Sequence, residues 1–367
     1  MSELRLVSHS DLGGHGDGMQ VVREREALYV GHYGISGVGT SILDVSDPAA
    51  PRLVDQWAAP AGTHTHKVQV ADGLLLVNQE RFHSSAEWAA GMMVYDVSSP
   101  LTPEPIGRFD CGGAGVHRIV WRGGRYAHAS ATPEGYGDRI WLVIDLADPE
   151  HPVEAARFVL DEPQPDGKRY AAHHALVAGD VAYLGYGDAN LVVLDLSDPS
   201  APAQIGRLDW EGGGNTHTCL PLPGRQLLVT TDEQTVDGPD APGRHIRVVD
   251  ASDPRNPSLL AVCPAPAVRR GPLRFGPHNL HENHSGSWQS EQIVFATYFA
   301  GGLVVYDLAD PREPRLLASW LPAHLEEPQL NDLYVQADGL VWVTDRFSGG
   351  LFAVEPDDEL REVLNRP

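Results

Sequence analysis

The sequence predicts an all-β fold: a seven-bladed β-propeller of four-stranded antiparallel blades, with residues 1–367 as one domain. Three observations predict it. A turn motif, Asp-x-x-Asp-Pro, recurs along the chain. Apolar, β-branched runs precede its copies. No stretch shows convincing amphipathic helix periodicity. Gly (38) and Pro (29) together make about 18% of the chain, against roughly 12% in average usage, as a turn-rich fold requires.

The motif copies are Asp44-Val-Ser-Asp-Pro-Ala-Ala-Pro51, Asp96-Val-Ser-Ser-Pro-Leu-Thr-Pro103, Asp145-Leu-Ala-Asp-Pro-Glu-His-Pro152, Asp195-Leu-Ser-Asp-Pro-Ser-Ala-Pro202, Asp250-Ala-Ser-Asp-Pro-Arg-Asn-Pro257 and Asp307-Leu-Ala-Asp-Pro-Arg-Glu-Pro314. Their first Asp recurs at intervals of 52, 49, 50, 55 and 57 residues, and a weak seventh copy ends at Pro356. The runs before the motif (302–306, 191–194, 141–144) read as buried third strands, C. Asp and Ser cap their own backbone in the turn, and Pro presets φ. The second Pro opens a fourth strand, D, as at 105–109, where its missing N–H does least harm. Two earlier strands, A and B, flank a tight turn, as at 67–70 with 74–77 and 332–335 with 340–343. The seventh copy lacks a strong strand D. Residues 4–7 are expected to supply it and so remove an open edge; residues 359–364 are the competing candidate.

This repeat resembles the LVIVD-repeat family of β-propellers. The resemblance spans nearly the whole chain, implies the fold, and carries over no activity and no catalytic residue.

Lys plus Arg is 27 and Asp plus Glu is 50, a net charge of −23, which repels nucleic acid and anionic membrane surfaces. No signal-like apolar segment opens the chain, and no run is long enough to span a membrane, so a cytoplasmic location is expected. Cys111, Cys219 and Cys263 form no CxxC and no disulfide framework.

The chain has 17 histidines. Aligning the units two residues before the first apolar position of strand A gives Asp17, His66, His117, His174, His217, His278 and Asn331. Strand A lines a propeller's axis, so these positions ring one mouth of the channel. His281 lies one turn further on. Register decides whether His173 or His174 faces the axis. The ends of strand B return to the same face with Tyr33, Glu80, Arg81, Tyr298 and Arg346. Neutral imidazole is the commonest protein metal ligand. His66, His117, His174, His217, His278 and His281 are therefore the expected ligands of a divalent transition metal: iron first, then Mn, Zn, Cu or Ni. The arrangement is similar to that of carotenoid-cleaving dioxygenases, propellers with axial histidines and Fe(II), with no motif in common. Glu80, Glu282 and Asp232 are candidates to orient the imidazoles. Tyr298 and Tyr33 are candidates to move a proton, and Arg81, Arg346 or Arg274 to hold a carboxylate.

The expected function is a metal-dependent oxygenase or oxidase acting on a small organic substrate, in one reading an anionic one. The alternatives are a metal-dependent lyase, hydrolase or isomerase, and a non-catalytic scaffold whose histidines serve structural hydrogen bonds. No nucleic acid or membrane partner is expected, and the oligomeric state is left open.

Overall fold

The computed structural model describes residues 3–238 and 243–365. Its strands run in antiparallel sheets with the order A-B-C-D, and the architecture is propeller-like. Unit 1 comprises Gly18–Glu24, Ala27–His32, Val38–Asp44 and Arg52–Ala58. Unit 2 comprises Val68–Ala71, Leu74–Arg81, Gly91–Asp96 and Glu104–Phe109, and unit 3 Gly115–Val120, Tyr126–Thr132, Ile140–Asp145 and Val153–Phe158. Unit 4 is His174–Ala178, Val181–Gly185, Leu191–Asp195 and Ala203–Leu208; unit 5 is Thr216–Leu222, Leu227–Asp232, Ile246–Asp250 and Ser258–Val262. Unit 6 keeps strands B to D (Ile293–Thr297, Leu303–Asp307, Arg315–Trp320), and a single bridge, Leu280 to Ala296, marks its strand A.

Unit 7 is built from both ends of the described chain. Leu330–Val335, Val341–Asp345 and Gly350–Pro356 are its strands A to C, and Leu4–Ser10 pairs antiparallel with Gly350–Pro356 as the fourth. Gly350 is needed there: its φ is +73°, and a Cβ would meet Ser10 O at 2.3 Å.

Residues 359–364 do not compete for this edge, because Asp358–Leu364 is a helix, an element the sequence reading did not expect. Asp357 caps it by accepting from Leu360 N at 2.8 Å, and Leu360 and Leu364, four apart, bury one helical face against unit 7. Two turns are too short for periodicity to declare them.

The apolar core lies between neighbouring sheets. Leu220 and Val229 of unit 5 pack with Val294 and Val304 of unit 6, and Trp141 and Val143 of unit 3 pack with Leu184 and Val192 of unit 4. Val21 and Leu28 of unit 1 pack with Trp342 and Leu351 of unit 7, which brings the first and last units together. The repeated motif behaves as turn chemistry. Asp44, Asp195 and Asp250 each accept from the backbone N–H two residues on, at 3.0, 2.8 and 2.9 Å.

Deleting residues 1–10 would leave Gly350–Pro356 as an unpaired edge. The melting temperature is expected to fall by about 5 °C or more, with aggregates on size exclusion. An unchanged melting curve and a clean monodisperse peak would show that this strand does not hold the edge.

Candidate metal centre

A local irregularity in strand A decides which side chain faces the axis. In unit 3, Val116 pairs with Ala131 and Arg118 with Ser130, so His117 is an extra, bulged residue. In unit 5, Thr216 pairs with Asp232 and Thr218 with Thr231, which leaves His217 extra. In unit 2, pairing stops at His64 and resumes at Val68, with His66 between. A bulge re-aims one side chain while the rest of the strand keeps its register.

Unit 4 departs from the sequence alignment. His174 is the first paired residue, opposite Gly185, and His173 stands before it in the position of His117 and His217. The axis-facing residue is therefore His173, not His174. The alignment starts the apolar run at Leu176, but Ala175 is buried in the core and pairs with Leu184. Counting it as apolar selects His173.

The imidazoles form an arc around a cavity of about 270 Å³. From His64, ring centroids are spaced 3.6 Å to His66, 5.1 Å on to His117, 4.9 Å to His173, 3.8 Å to His217 and 4.2 Å to His278. His117 Nε2 and His173 Nε2 face each other at 3.1 Å. Two such nitrogens either share one proton or point lone pairs at a common cation.

The other ring nitrogens are tied. Nδ1 of His64 bonds Tyr33 O and Nδ1 of His278 bonds Asn331 O, both at 2.6 Å; a carbonyl only accepts, so Nδ1 is protonated and Nε2 is left as a bare lone pair. His117 Nδ1 bonds the Glu80 carboxylate at 2.8 Å, with the same consequence. His217 Nδ1 bonds Thr218 Oγ1 at 2.8 Å, and its buried Nε2 has no partner among the described residues. Such partners orient metal-binding imidazoles. Burial pushes His66, His117, His173, His217 and His278 well below the usual histidine range, and His64 down to about 3. The arc is thus neutral near pH 7, the form that binds metal.

Below the arc lies a layer made by the next residue of each strand A. It includes Lys67, Arg118, His174, Thr218 and Asp332, all buried. Arg118 Nη2 donates to Glu282 Oε1 at 2.8 Å, and His174 Nε2 lies 3.1 Å from the same oxygen. Burial opposes ionisation of Glu282, but His174, His284 and Arg118 outweigh it and hold the carboxyl well below its usual range. Burial pushes the Lys67 ammonium down and the Asp332 carboxyl up, each partly compensated by the other.

Two groups bring three ligand atoms within 4.8 Å of one another: His64, His66 and Glu80, and the buried set His173, His217 and Glu233. Each is two histidines and one carboxylate, and the second has the geometry to hold a metal ion. Glu233 is held in place by two donors. Its Oε1 accepts from Arg274 Nη1 and its Oε2 from Asn215 Nδ2, both at 3.1 Å.

The LVIVD repeat model matches residues 36–58 and 171–209. The chain carries LVIVD repeats. Two solved structures are similar in fold. A protein from Lactobacillus plantarum shares 13% identity at a TM-score of 0.60, covering 97% of this chain and 96% of that one. The computationally designed Ika8 protein shares 10% identity at a TM-score of 0.56, covering 94% and 98%. No curated protein matches the chain.

Tyr33, Glu80, Arg81 and Arg346 line the cavity together with His66, His117, His217 and His278. His174, His281 and Tyr298 do not. His281 is buried away from the cavity, with Nε2 on Trp288 O. Tyr298 closes a tight turn, packs on Phe275 at 5.1 Å and donates to Arg244 O at 3.0 Å. Arg274 pairs with Glu233, Glu282 with Arg118, and Asp232 with Arg247. Sequence reasoning passed over Lys67, Arg139 and Phe82, which also line the cavity. Their signal was position: Lys67 directly follows an axis-facing histidine, and Phe82 extends a strand-B end. No helix among the described residues is long and apolar enough to cross a membrane.

The depressed histidines set a pH dependence. From the ordinary value of 6.5 down toward about 3, where His64 titrates, the unfolded chain binds protons that the folded arc refuses. Stability without metal is therefore expected to fall as pH falls through this window, by up to about 1.4 kcal/mol per pH unit for each such histidine. Thermal melts in EDTA from pH 7.5 to 4 check this. A melting temperature that rises toward pH 4 would contradict the neutral arc.

Proposed function

We propose that the units close into one seven-bladed propeller and that the histidine arc at its axial mouth holds a divalent transition metal. The closure rests on the contact of units 1 and 7 and on the pairing of Leu4–Ser10 with Gly350–Pro356. Iron is our first choice of metal, and the activity we infer is that of an oxygenase or oxidase on a small organic molecule. One observation carries this reading: His173, His217 and Glu233 converge in a buried set of two histidines and one carboxylate beside an open cavity. That donor set with free positions suits non-haem Fe(II), whereas closed thiolate sets suit structural zinc.

The bound metal would supply redox chemistry or Lewis-acid polarisation at its open positions. The chain's own residues do the rest. Glu80, Tyr33 O and Asn331 O fix the tautomers of His117, His64 and His278, so their lone pairs are presented without reorganisation, and Thr218 orients the His217 ring. The cavity accepts a small molecule only. Tyr33 and Lys67 line it and are the proton-bearing groups nearest a substrate.

Elemental analysis tests the reading on protein purified without a His tag after growth with Fe, Mn and Zn. About one ion per chain, mainly iron, is expected. His173→Ala combined with His217→Ala should remove most of it. Less than about a fifth of an ion per chain in the wild type overturns the metal centre and favours the structural scaffold. Zinc taken up in preference to available iron would favour the lyase, hydrolase or isomerase alternative.

A further inference from the structure

Arg346 is a buried cation without a close counter-ion. Its side chain is 8% exposed, and Nε and Nη1 have no hydrogen-bond partner among the described residues. The nearest carboxylate oxygen, Glu233 Oε1, is 3.9 Å away and already accepts from Arg274 Nη1 at 3.1 Å. A buried guanidinium left this way is costly unless a ligand completes it. The excess charge is not confined to one residue. Lys67, Arg81, Arg139 and Arg346 line the cavity against Glu80 and Glu233, in a chain of net charge −23.

The loop that carries Arg346 is held firmly. Asp345 Oδ1 accepts from the backbone N–H groups of Phe347, Ser348 and Gly349, at 3.0, 3.1 and 3.0 Å. The guanidinium carbon then sits 5.5 Å from the ring centres of Tyr33 and Phe299 and 5.7 Å from that of Phe347. Phe299 takes up this place at φ +38°, a strained conformation for a bulky residue, and its ring also packs on His278 at 4.9 Å. Above, the rings of Tyr33 and Phe82 stand 5.9 Å apart and nearly perpendicular, and those of Tyr33 and Phe347 6.3 Å apart. Met19 is the one aliphatic side chain in the lining, so the apolar contact on offer is aromatic. His278 Nε2 and Arg346 Nη1 both lie 3.9 Å from the same Glu233 oxygen, so the cation stands close to the end of the arc.

We propose that the cavity takes a small planar carboxylic acid, aromatic or conjugated, with its carboxylate on Arg346, its flat body between Tyr33 and Phe82, and its far end toward the histidines. A guanidinium presents N–H donors in the plane that a carboxylate needs, and ring faces and edges accept a flat π-system. This substrate class rests on the reading of the cavity as a reaction site.

Benzoate, benzyl alcohol and acetate are titrated calorimetrically into the full-length protein, with metal content measured on the same samples. Benzoate is expected to bind, and benzyl alcohol and acetate to bind at least about tenfold more weakly. Arg346→Gln should weaken benzoate by at least about tenfold without changing metal content. Phe82→Ala, in the cavity wall, should weaken benzoate several-fold and leave acetate alone, and it stands as the test if Arg346→Gln does not fold. The proposal falls if benzoate does not bind to metal-replete protein, if benzyl alcohol binds as well as benzoate, or if Arg346→Gln folds and binds benzoate as tightly. Arg346-dependent benzoate binding to protein that takes up no metal would uphold the acid site while removing the metal centre.

Discussion

The one-residue bulge at the start of strand A is the constraint on which the rest of the axis depends. A regular strand would send alternate side chains toward the two neighbouring sheets and none to the channel mouth. The extra residue turns His117 and His217 inward, and the break in pairing around His66 does the same. The next residue in each strand then falls one level lower, still near the axis. Two polar layers follow from one backbone irregularity that recurs in several units.

Stacking polar layers in a dry place raises an electrostatic problem, which the two layers meet differently. The upper arc stays neutral: burial keeps protons off the imidazoles, and carbonyls, a hydroxyl and Glu80 satisfy the far nitrogens. The lower layer is ionic, with Arg118 and His174 converging on Glu282 and with Lys67 and Asp332 buried nearby. Breaking such a pair by removing one partner leaves an uncompensated buried charge, so the lower layer also fixes how strands A can sit. The cavity between arc and solvent also keeps polar groups incompletely paired. Arg346, His173 and His217 are all there, with buried nitrogens that lack partners among the described residues.

The strongly acidic surface and the cationic cavity belong together. Exposed carboxylates in the repeated turns are satisfied by backbone N–H groups and neighbouring arginines. The cavity instead concentrates Lys67, Arg81, Arg139 and Arg346 around few acids. A mean charge of −23 therefore says little about the one place where a small molecule would sit.

The repeat alone determined the four-stranded unit, the turn chemistry of its aspartates, the N-terminal strand as partner of Gly350–Pro356, and the gathering of histidines at one mouth, because each depends on local patterns of side-chain size and turn preference. It also gathered Tyr33, Glu80, Arg81 and Arg346 at the face where strand A begins, and all four line the cavity. Tertiary structure decided what local pattern cannot carry. A register of one residue chose His173 over His174, because the buried Ala175 continues the core. Packing against Phe275 took Tyr298 out of the cavity, and Glu233 and Arg346 gained their meaning from residues far along the chain. Sequence spacing sets which side chains can reach the axis, but burial and pairing across blades set which of them stay free to bind.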